Sequence, residues 1–195
     1  DLEVAAFLNL VKGYIYYAQT AETVVVFRDG APPRTTPVYE ARGDDALFTG
    51  VEGRLQWEFL RGLVLDAGLS YTRATRRSDD DPLPFIPPLN GRAELRYEAG
   101  PWYLAAGVEG AAAQDRIPRP VRVGEVEENP QERTSGYGLV NSSAGWRFTR
   151  SGLTHSLGFE VRNLTDRAWW DHLSRIKDIA PQPGRNVQFT YRVYF

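Results

Sequence analysis

The carboxyl-terminal segment, residues 186–195, alternates apolar and polar side chains at nearly every step. Its apolar positions are Val187, Phe189, Tyr191, Val193 and Phe195. This period of two predicts a β-strand with one apolar and one wet face, because successive side chains of a strand point to opposite sides. Edge strands of soluble sheets are normally blunted by charge or proline, whereas this one ends on an aromatic residue. Such an ending favours a closed barrel, in which the last strand has a partner.

The same period recurs along the chain and predicts about eight strands. In chain order they cover approximately residues 2–17, 51–60, 63–72, 92–99, 102–108, 140–148, 156–162 and 187–195. Several are about ten residues long, the length that a tilted transmembrane strand needs. No apolar run approaches the roughly 20 residues of a membrane helix. We therefore predict an all-β fold, an antiparallel transmembrane β-barrel segment.

The connections between these strands alternate between short and long. Tight turns are expected at residues 61–62, 100–101 and 149–152, and long polar segments at roughly 18–36, 78–88, 114–135 and 164–184. Outer-membrane barrels have short periplasmic turns and longer extracellular loops. The asymmetry therefore predicts an orientation in which Phe195 lies on the periplasmic side.

Aromatic and charged residues agree with a barrel wall. Trp57, Trp102 and Trp146 lie next to the short turns and predict an aromatic girdle at one membrane boundary. The face opposite the apolar one carries both signs of charge, for example at Arg54 and Glu94. An Arg or Lys facing lipid at mid-depth costs about 2–4 kcal/mol. We therefore expect the charged face to line a hydrated lumen, where opposite charges pair across strands.

Composition excludes several functions. The net charge of −2 does not suggest a polyanion-binding surface, so we expect no nucleic-acid partner. Without cysteine the chain has no disulfide, thiolate metal site or cysteine nucleophile. With two histidines and no Gly-rich phosphate loop, nothing favours a catalytic set, an enzymatic activity or a cofactor. The opening residues show no signal segment, which favours a processed chain or a fragment.

Two sequence patterns resemble a known family. Asn163, Leu164 and Asp166 form an N-L-x-D motif, and a Pro-Gly-Arg-Asn sequence at residues 183–186 leads into the strand that ends at Phe195. Residues 82–110 add a proline-rich loop end followed by a strand, a tight turn and another strand. With this spacing, the chain resembles the C-terminal part of the barrel of TonB-dependent outer-membrane receptors over essentially its whole length.

The resemblance implies a barrel of about 22 strands with a plugged lumen, energised through TonB in the bacterial outer membrane. Residues 1–195 would be the C-terminal portion of that barrel, without the plug domain, the TonB-contacting segment or the earlier strands. Residues 171–186 are most similar to receptors for zinc and other metals. The implied function is uptake of a metal chelate, siderophore or similar scarce nutrient. The implied partners are that ligand, outer-membrane lipid, the barrel-assembly machinery and, through the plug, the TonB system.

The candidate ligand-binding residues lie in the segment 167–183, predicted to be extracellular. They are Trp169, Trp170, Asp171, His172 and Arg175. Two aromatics, a histidine and a carboxylate are able to touch a metal chelate or an aromatic siderophore. The alternative is an ordered loop whose tryptophans pack on a neighbouring loop, with Asp171 and Arg175 as an i,i+4 pair. An Asp-His pair falls short of the three or four ligands of a zinc site, so no metal site is predicted.

Other notable residues have structural interpretations. The acidic runs Asp79–Asp81 and Glu125, Glu127, Glu128 are expected to be solvated loop tips, and His155 is expected to be structural. Phe189, Tyr191, Val193 and Phe195 are candidates for a C-terminal barrel-assembly signal.

Two other fold interpretations stay open from the sequence. One is a complete eight-stranded outer-membrane barrel with a structural or adhesive role, since eight strands make the smallest common closed barrel. The other is a soluble β-sandwich. In the preferred register Val193 faces lipid and Gln188 faces the lumen.

Overall fold

The computed structural model describes residues 1–123, 126–128, 131–177 and 179–195. Its strands, in chain order, are β1 Leu2–Arg28, β2 Ala31–Leu60, β3 Leu63–Arg76, β4 Asn90–Ala99, β5 Trp102–Ala111, β6 Val121–Val123, β7 Val126–Glu128, β8 Tyr137–Arg150, β9 Leu153–Arg162 and β10 Asn186–Tyr194. Within these ranges, no helix has the length and apolarity to cross a membrane.

Eight of the strands form one antiparallel sheet in the order β1-β2-β3-β4-β5-β8-β9-β10. Each strand of the sheet therefore lies beside its neighbour in sequence, apart from the small separate hairpin β6-β7. The predicted all-β, eight-stranded antiparallel wall is confirmed. β1 and β10 are the two edges of this sheet, which is open.

The predicted tight turns are confirmed at one end of the sheet. They contain Gly62, Gly100 and Gly152, with φ of 74°, 58° and 79°. Glycine adopts this left-handed backbone without steric cost. The connections 77–89, 112–136 and 163–185 lie at the opposite end, which we call the long-loop end.

The prediction of a long loop at residues 18–36 is wrong. β1 and β2 continue through this segment and stay paired, with Val24 opposite Thr36, up to a tight turn at Gly30. The β-branched residues in both strands favour an extended backbone. Because this hairpin extends past the end of β3, it has no membrane-facing side. Its strands therefore form without the alternation of apolar and polar residues on which the prediction relied.

The segment predicted as a loop at residues 114–135 contains the β6-β7 hairpin. Of the acidic run predicted there, Glu125 lies outside the described residues, as do the side chains of Glu127 and Glu128. The strand predicted at 140–148 is longer, because β8 begins at Tyr137 and ends at Arg150.

The strand register separates two faces. One row across the sheet is largely apolar and consists of Trp57, Leu65, Leu95, Ala106, Ser142, Val161 and Val187. The adjacent row holds Glu58, Val64, Arg96, Ala105, Ser143, Glu160 and Gln188. We call these the apolar face and the polar face. Val193 lies opposite His155 on the apolar face, and Gln188 lies on the polar face, as the sequence predicted.

An aromatic band crosses the apolar face at the short-turn end. Its ring pairs, with centroid distances, are Trp57–Phe59 at 5.3 Å, Tyr97–Trp102 at 5.7 Å and Trp146–Phe148 at 4.5 Å. Amphipathic aromatic rings are typical of a membrane–water boundary. His155 belongs to this band, because it stacks on Phe148 and its Nδ1 lies 2.7 Å from the Tyr191 hydroxyl.

A cluster of buried apolar residues lies on the polar face, at the long-loop end. Ala46, Ala74, Leu83 and Ile86 are buried there against Phe48. Leu83 and Ile86 come from the β3-β4 connection, so that loop folds inward over the strands. The buried apolar residues therefore lie beneath this loop and not between two packed sheets. This arrangement is expected of a wall that consists of a single sheet.

Candidate ligand-binding site

The base of the β9-β10 loop, residues 163–185, is built from the two motifs of the family resemblance. The Asp166 carboxylate accepts a 2.7 Å hydrogen bond from the Arg185 amide, and the Arg185 Nε donates to the Leu164 carbonyl. A Cβ at Gly184 would lie 2.7 Å from Asp166 Oδ1. The Asp, Gly and Arg of the motifs therefore close the loop, and a side chain at position 184 would require the Asp166 carboxylate to move.

Asn163 fixes the other side of this base. Its side chain both accepts from the Arg167 amide and donates to the Arg167 carbonyl, while its own amide donates to Asn141 Oδ1. Its φ of 52° lies in the left-handed region, which asparagine tolerates better than most residues. The residue at this position thus turns the chain out of β9.

Trp169 packs against the wall beneath the loop. Its ring lies 4.4 Å from that of Tyr137 in β8, and its Nε1 donates to the Pro183 carbonyl. The alternative interpretation placed both tryptophans against a neighbouring loop. Trp169 instead packs on a strand, and Trp170 remains 41% exposed.

The segment after Trp170 forms successive turns rather than a helix. Asp171 Oδ1 accepts from the Leu173 amide, and the Ser174 amide donates to the Asp171 carbonyl. The Asp171–Arg175 ion pair of the alternative interpretation is absent from the described residues. The reason is local, because the Asp171 carboxylate instead caps the turn.

His172 is the buried point at which this loop meets residues 131–136. Its Nδ1 lies 2.9 Å from the Thr134 hydroxyl, and its side chain is 3% exposed. Burial lowers the pKa of His172 to about 4, the nearby Lys177 ammonium adds to that effect and Asp171 opposes it. The Lys177 Nζ donates to the Glu132 carbonyl at 2.8 Å. At neutral pH a neutral histidine and a lysine therefore join the two loops.

A cavity of about 750 Å³ lies between this loop and the polar face. Trp170, Asp171, His172 and Leu173 line it from the loop side. The strands contribute charged residues, namely Glu3, Glu52, Arg54, Asp66, Arg92 and Glu109. With Asp171, the lining has five carboxylates against two guanidinium groups. The structure therefore brings together three of the predicted binding residues, whereas Trp169 packs beneath the loop and Arg175 is exposed away from the cavity.

The wall of this cavity contains an ion-pair network. Arg54 and Arg92 both lie opposite Gly68 in the register, and both reach Asp66, at 3.6 Å and 3.3 Å. Three neighbouring strands thus share one carboxylate. The predicted pairing of charges across the polar face is present here, with one carboxylate shared between the two guanidinium groups of the cavity.

The prediction that residues 79–81 form a solvated loop tip is wrong for Asp81, whereas Asp79 and Asp80 are exposed. The Asp81 side chain is 3% exposed and pairs with Arg76 at 2.7 Å, while Arg76 also pairs with Asp79 and donates to the Tyr16 hydroxyl. Burial opposes ionisation of Asp79, but the Asp81 amide and the Arg76 guanidinium outweigh it and lower the pKa of Asp79. These contacts hold the loop inward, so Asp81 and Asp79 serve as its anchors.

Sequence reasoning missed a second cleft, of about 300 Å³, at the foot of the tall β1-β2 hairpin. Tyr16, Tyr17 and Tyr39 line it together with prolines of two loops. Tyr16 and Tyr17 end the first predicted strand, but the segment after them does not alternate, so the sequence does not place Tyr39 or the loop prolines beside them. In the described residues, no group of three or more His, Asp or Glu side chains is placed to hold a metal ion.

The sheet has the features of one class of protein. It has a charged face, an apolar face with an aromatic band, short turns at one end and long loops at the other, which define the wall of an outer-membrane β-barrel. The family model described as "TonB dependent receptor-like, beta-barrel" matches residues 1–164. The chain belongs to this family, and its place is the bacterial outer membrane. The family resemblance, the all-β barrel-segment fold and the outer-membrane location predicted from the sequence are confirmed.

Solved structures of the same architecture match nearly the whole chain. "Copper transporter OprC" has a TM-score of 0.76 and 25% identity, over 97% of this chain and 28% of that one. A mutant of the ferric enterobactin receptor PfeA from Pseudomonas aeruginosa has a TM-score of 0.68 and 19% identity, over 97% and 28%. The siderophore receptor PirA from Acinetobacter baumannii has a TM-score of 0.65 and 18% identity, over 99% and 29%. The chain thus spans less than a third of these proteins. No curated protein matches.

Proposed function

We propose that this chain supplies the last strands and loops of the barrel of a TonB-dependent uptake receptor for a metal chelate, siderophore or similar nutrient. The observation that carries the proposal is the cavity between the polar face and the β9-β10 loop. It combines an exposed tryptophan, a neutral histidine and several carboxylates at the extracellular end of the wall. Copper and siderophore proteins among the structural matches support the same class of cargo.

The net charge of the cavity indicates which charge the expected cargo should carry. Asp66 pairs with both arginines, and the five carboxylates of the lining exceed its two guanidinium groups by three negative charges. A low-dielectric cleft lined by one sign of charge concentrates ligands of the opposite sign. The proposal therefore favours a cationic or neutral metal complex over a strongly anionic one.

The open sheet supports a wall segment over the small-barrel alternative. A complete eight-stranded barrel requires β1 and β10 to pair with each other, and they are the two edges of the sheet. Transport would require a lumen-filling domain that couples to TonB, and in this proposal the remainder of a longer receptor supplies it.

Binding to the purified full-length receptor tests the proposal. Calorimetric titration with Cu²⁺, Zn²⁺ and ferric siderophores of different charge should identify a cargo that binds in the micromolar range or tighter. Trp170→Ala and Asp171→Asn should each weaken its binding about tenfold, because both side chains line the cavity. Arg175→Ala, in the same loop but away from the cavity, is the matched control. Equal affinity in all four proteins would remove this loop from the binding site.

A further inference from the structure

Glu109 places a negative charge on the wall of the candidate cavity. It is exposed in β5 and lies opposite Arg92 in the register, but Arg92 pairs with Asp66. Among the described residues, no cation lies within ion-pair distance of the Glu109 carboxylate. Its Oε1 instead accepts a 2.9 Å hydrogen bond from Asn141 Nδ2 in β8. The charge of Glu109 therefore stays available to a ligand.

The other end of the Asn141 amide holds the start of the β9-β10 loop. Its Oδ1 accepts a 2.9 Å hydrogen bond from the amide of Asn163, the residue at which the chain leaves β9. Asn163 is 3% exposed, and its side chain bonds to both the amide and the carbonyl of Arg167. The β8-β9 register ends at the pair Ser142–Val161. Asn141 therefore extends the contact between these strands into the base of the loop.

The two partners fix the orientation of this amide. An ionised carboxylate such as that of Glu109 only accepts hydrogen bonds, and a backbone amide such as that of Asn163 only donates them. The NH₂ group of Asn141 must therefore face Glu109 and its oxygen must face Asn163, because the reverse orientation loses both bonds. One side chain thus joins a carboxylate of the cavity wall to the base of the loop that carries Trp170 and Asp171 over the same cavity.

We propose that Asn141 is a positioning residue of the candidate binding site, which holds the Glu109 carboxylate and the base of the β9-β10 loop in one fixed arrangement. This inference rests on the proposed function, because it assigns Asn141 to the same cavity. A cationic complex in the cavity then meets the wall carboxylate and the loop residues Trp170 and Asp171 at a set separation. Such preorganisation raises affinity, because binding does not have to order the two sides of the site.

Amide hydrogen exchange in the ligand-free, full-length receptor tests the link itself. Asn141→Leu removes both bonds at similar side-chain volume and should speed exchange at Asn163 and Arg167 about tenfold. Glu109→Leu removes the partner that orients the amide and should speed the same exchange about threefold. Glu109→Gln is the charge control and should match the wild type, because its amide oxygen still accepts from Asn141. Wild-type exchange in either leucine variant would contradict the link.

An exchange of donor and acceptor provides the rescue. The double variant Glu109→Gln/Asn141→Asp keeps the net charge. Both bonds are able to form in it, because the new amide donates to the new carboxylate, whose other oxygen accepts from Asn163. Its exchange should stay within about twofold of the wild type, and exchange as fast as in Asn141→Leu would overturn the proposal. Heat-modifiability on gels verifies folding. If Asn141→Leu fails to assemble, Glu109→Leu and the double variant still decide the link.

Calorimetric titration with hexaamminecobalt(III), an inert trivalent cation, tests the consequence for binding. Asn141→Leu should weaken its binding about fivefold, although every carboxylate of the cavity is still present. Asn90→Leu is the matched control, since Asn90 also lines the cavity but its side chain donates to the Pro88 carbonyl. Equal affinity in Asn141→Leu and the wild type would overturn the positioning role. If the wild type does not bind the cation, the exchange results still decide the link, and the proposed ligand cavity is what fails.

Discussion

The two inward-folding loops of this wall are held in different ways. The β3-β4 loop, residues 77–89, is fixed by a buried ion-pair network around Arg76 and by Leu83 and Ile86 in the apolar cluster. The β9-β10 loop is fixed by hydrogen bonds at its base, by the ring of Trp169 tilted against Tyr137, and by the buried His172 and Lys177, which bond to residues 131–136. It also leaves apolar side chains open to solvent, with Leu173 43%, Ile176 56% and Ile179 73% exposed.

This difference separates structural from ligand-facing roles. The β3-β4 loop directs Asp81, Leu83 and Ile86 into buried contacts with the wall, although Phe85 and Leu89 stay 44% and 40% exposed. A loop that keeps a tryptophan, several aliphatic side chains and a carboxylate exposed gains stability when a ligand or another domain covers them. We therefore expect the β9-β10 loop to respond to cargo and the β3-β4 loop to stay in place.

The largest expected effect is loss of the network that anchors the β3-β4 loop. Arg76→Gln leaves the buried Asp81 carboxylate without its closest ion-pair partner, and breaking a buried pair costs about 3–5 kcal/mol. Amide hydrogen exchange in residues 77–89 of the full-length receptor should accelerate at least 100-fold. Arg77→Gln, an exposed neighbour, is the control. Similar exchange in both variants would mean that the ion pairs do not anchor the loop.

Acid should loosen the β9-β10 loop next. The pKa of His172 is about 4 in the closed loop against an ordinary 6.5, so an opened loop takes up a proton that the closed loop does not. The stability of the closed loop is therefore complete above about pH 6.5 and is lost as the pH falls towards 4. Exchange in residues 167–177, corrected for intrinsic rates, should increase about tenfold between pH 7 and pH 5. His172→Gln should remove this dependence, and an unchanged pH profile in that variant would exclude His172 as its cause.

Removal of the carboxylate that closes the loop base should have a smaller effect. Asp166→Ala removes the bond to the Arg185 amide, and an exposed hydrogen bond of this kind contributes about 1 kcal/mol. Exchange at Arg185 should increase about fivefold, with no change in residues 77–89. Thr165→Ala is the neighbouring control. Faster exchange in both loops would show that they are not independent.

The smallest effect is expected at the exposed aliphatic surface. Ile179→Ser should change loop opening by less than about 0.5 kcal/mol in the ligand-free receptor, because Ile179 is 73% exposed. Leu83→Ala, in the buried cluster, should cost about 2–3 kcal/mol in its own loop. Comparable losses of stability at both positions would remove the distinction between the two loops.

The alternating strands and glycine turns could be predicted from sequence because lipid imposes an apolar residue at every second position. Beyond the membrane boundary lipid no longer imposes this alternation, so the strands there could not be predicted from it. The hairpin beyond Tyr17 is extended without alternation, so it was mistaken for a loop. The wall segment itself was assigned correctly, including the opposite faces of Val193 and Gln188.

Side-chain contacts between distant segments were the least predictable. Asp81 belongs to an acidic run, and nothing local reveals that Arg76 and Arg119 enclose it. Trp170 and His172 stand out by residue type, but the cavity that they share with Arg54 and Glu109 depends on how the loop folds over six strands. Sequence therefore indicated which residues are able to bind a ligand, and the fold indicated which of them share a site.

Spin labels at consecutive positions along β10 give the most direct test of the lipid–lumen division. Labels at residues 187–193 of the full-length receptor in native outer membranes should alternate in accessibility. Oxygen, which partitions into lipid, should relax Val187, Phe189, Tyr191 and Val193 most strongly, and a water-soluble nickel complex should favour the positions between them. The same accessibility at every position would contradict a wall between membrane and lumen.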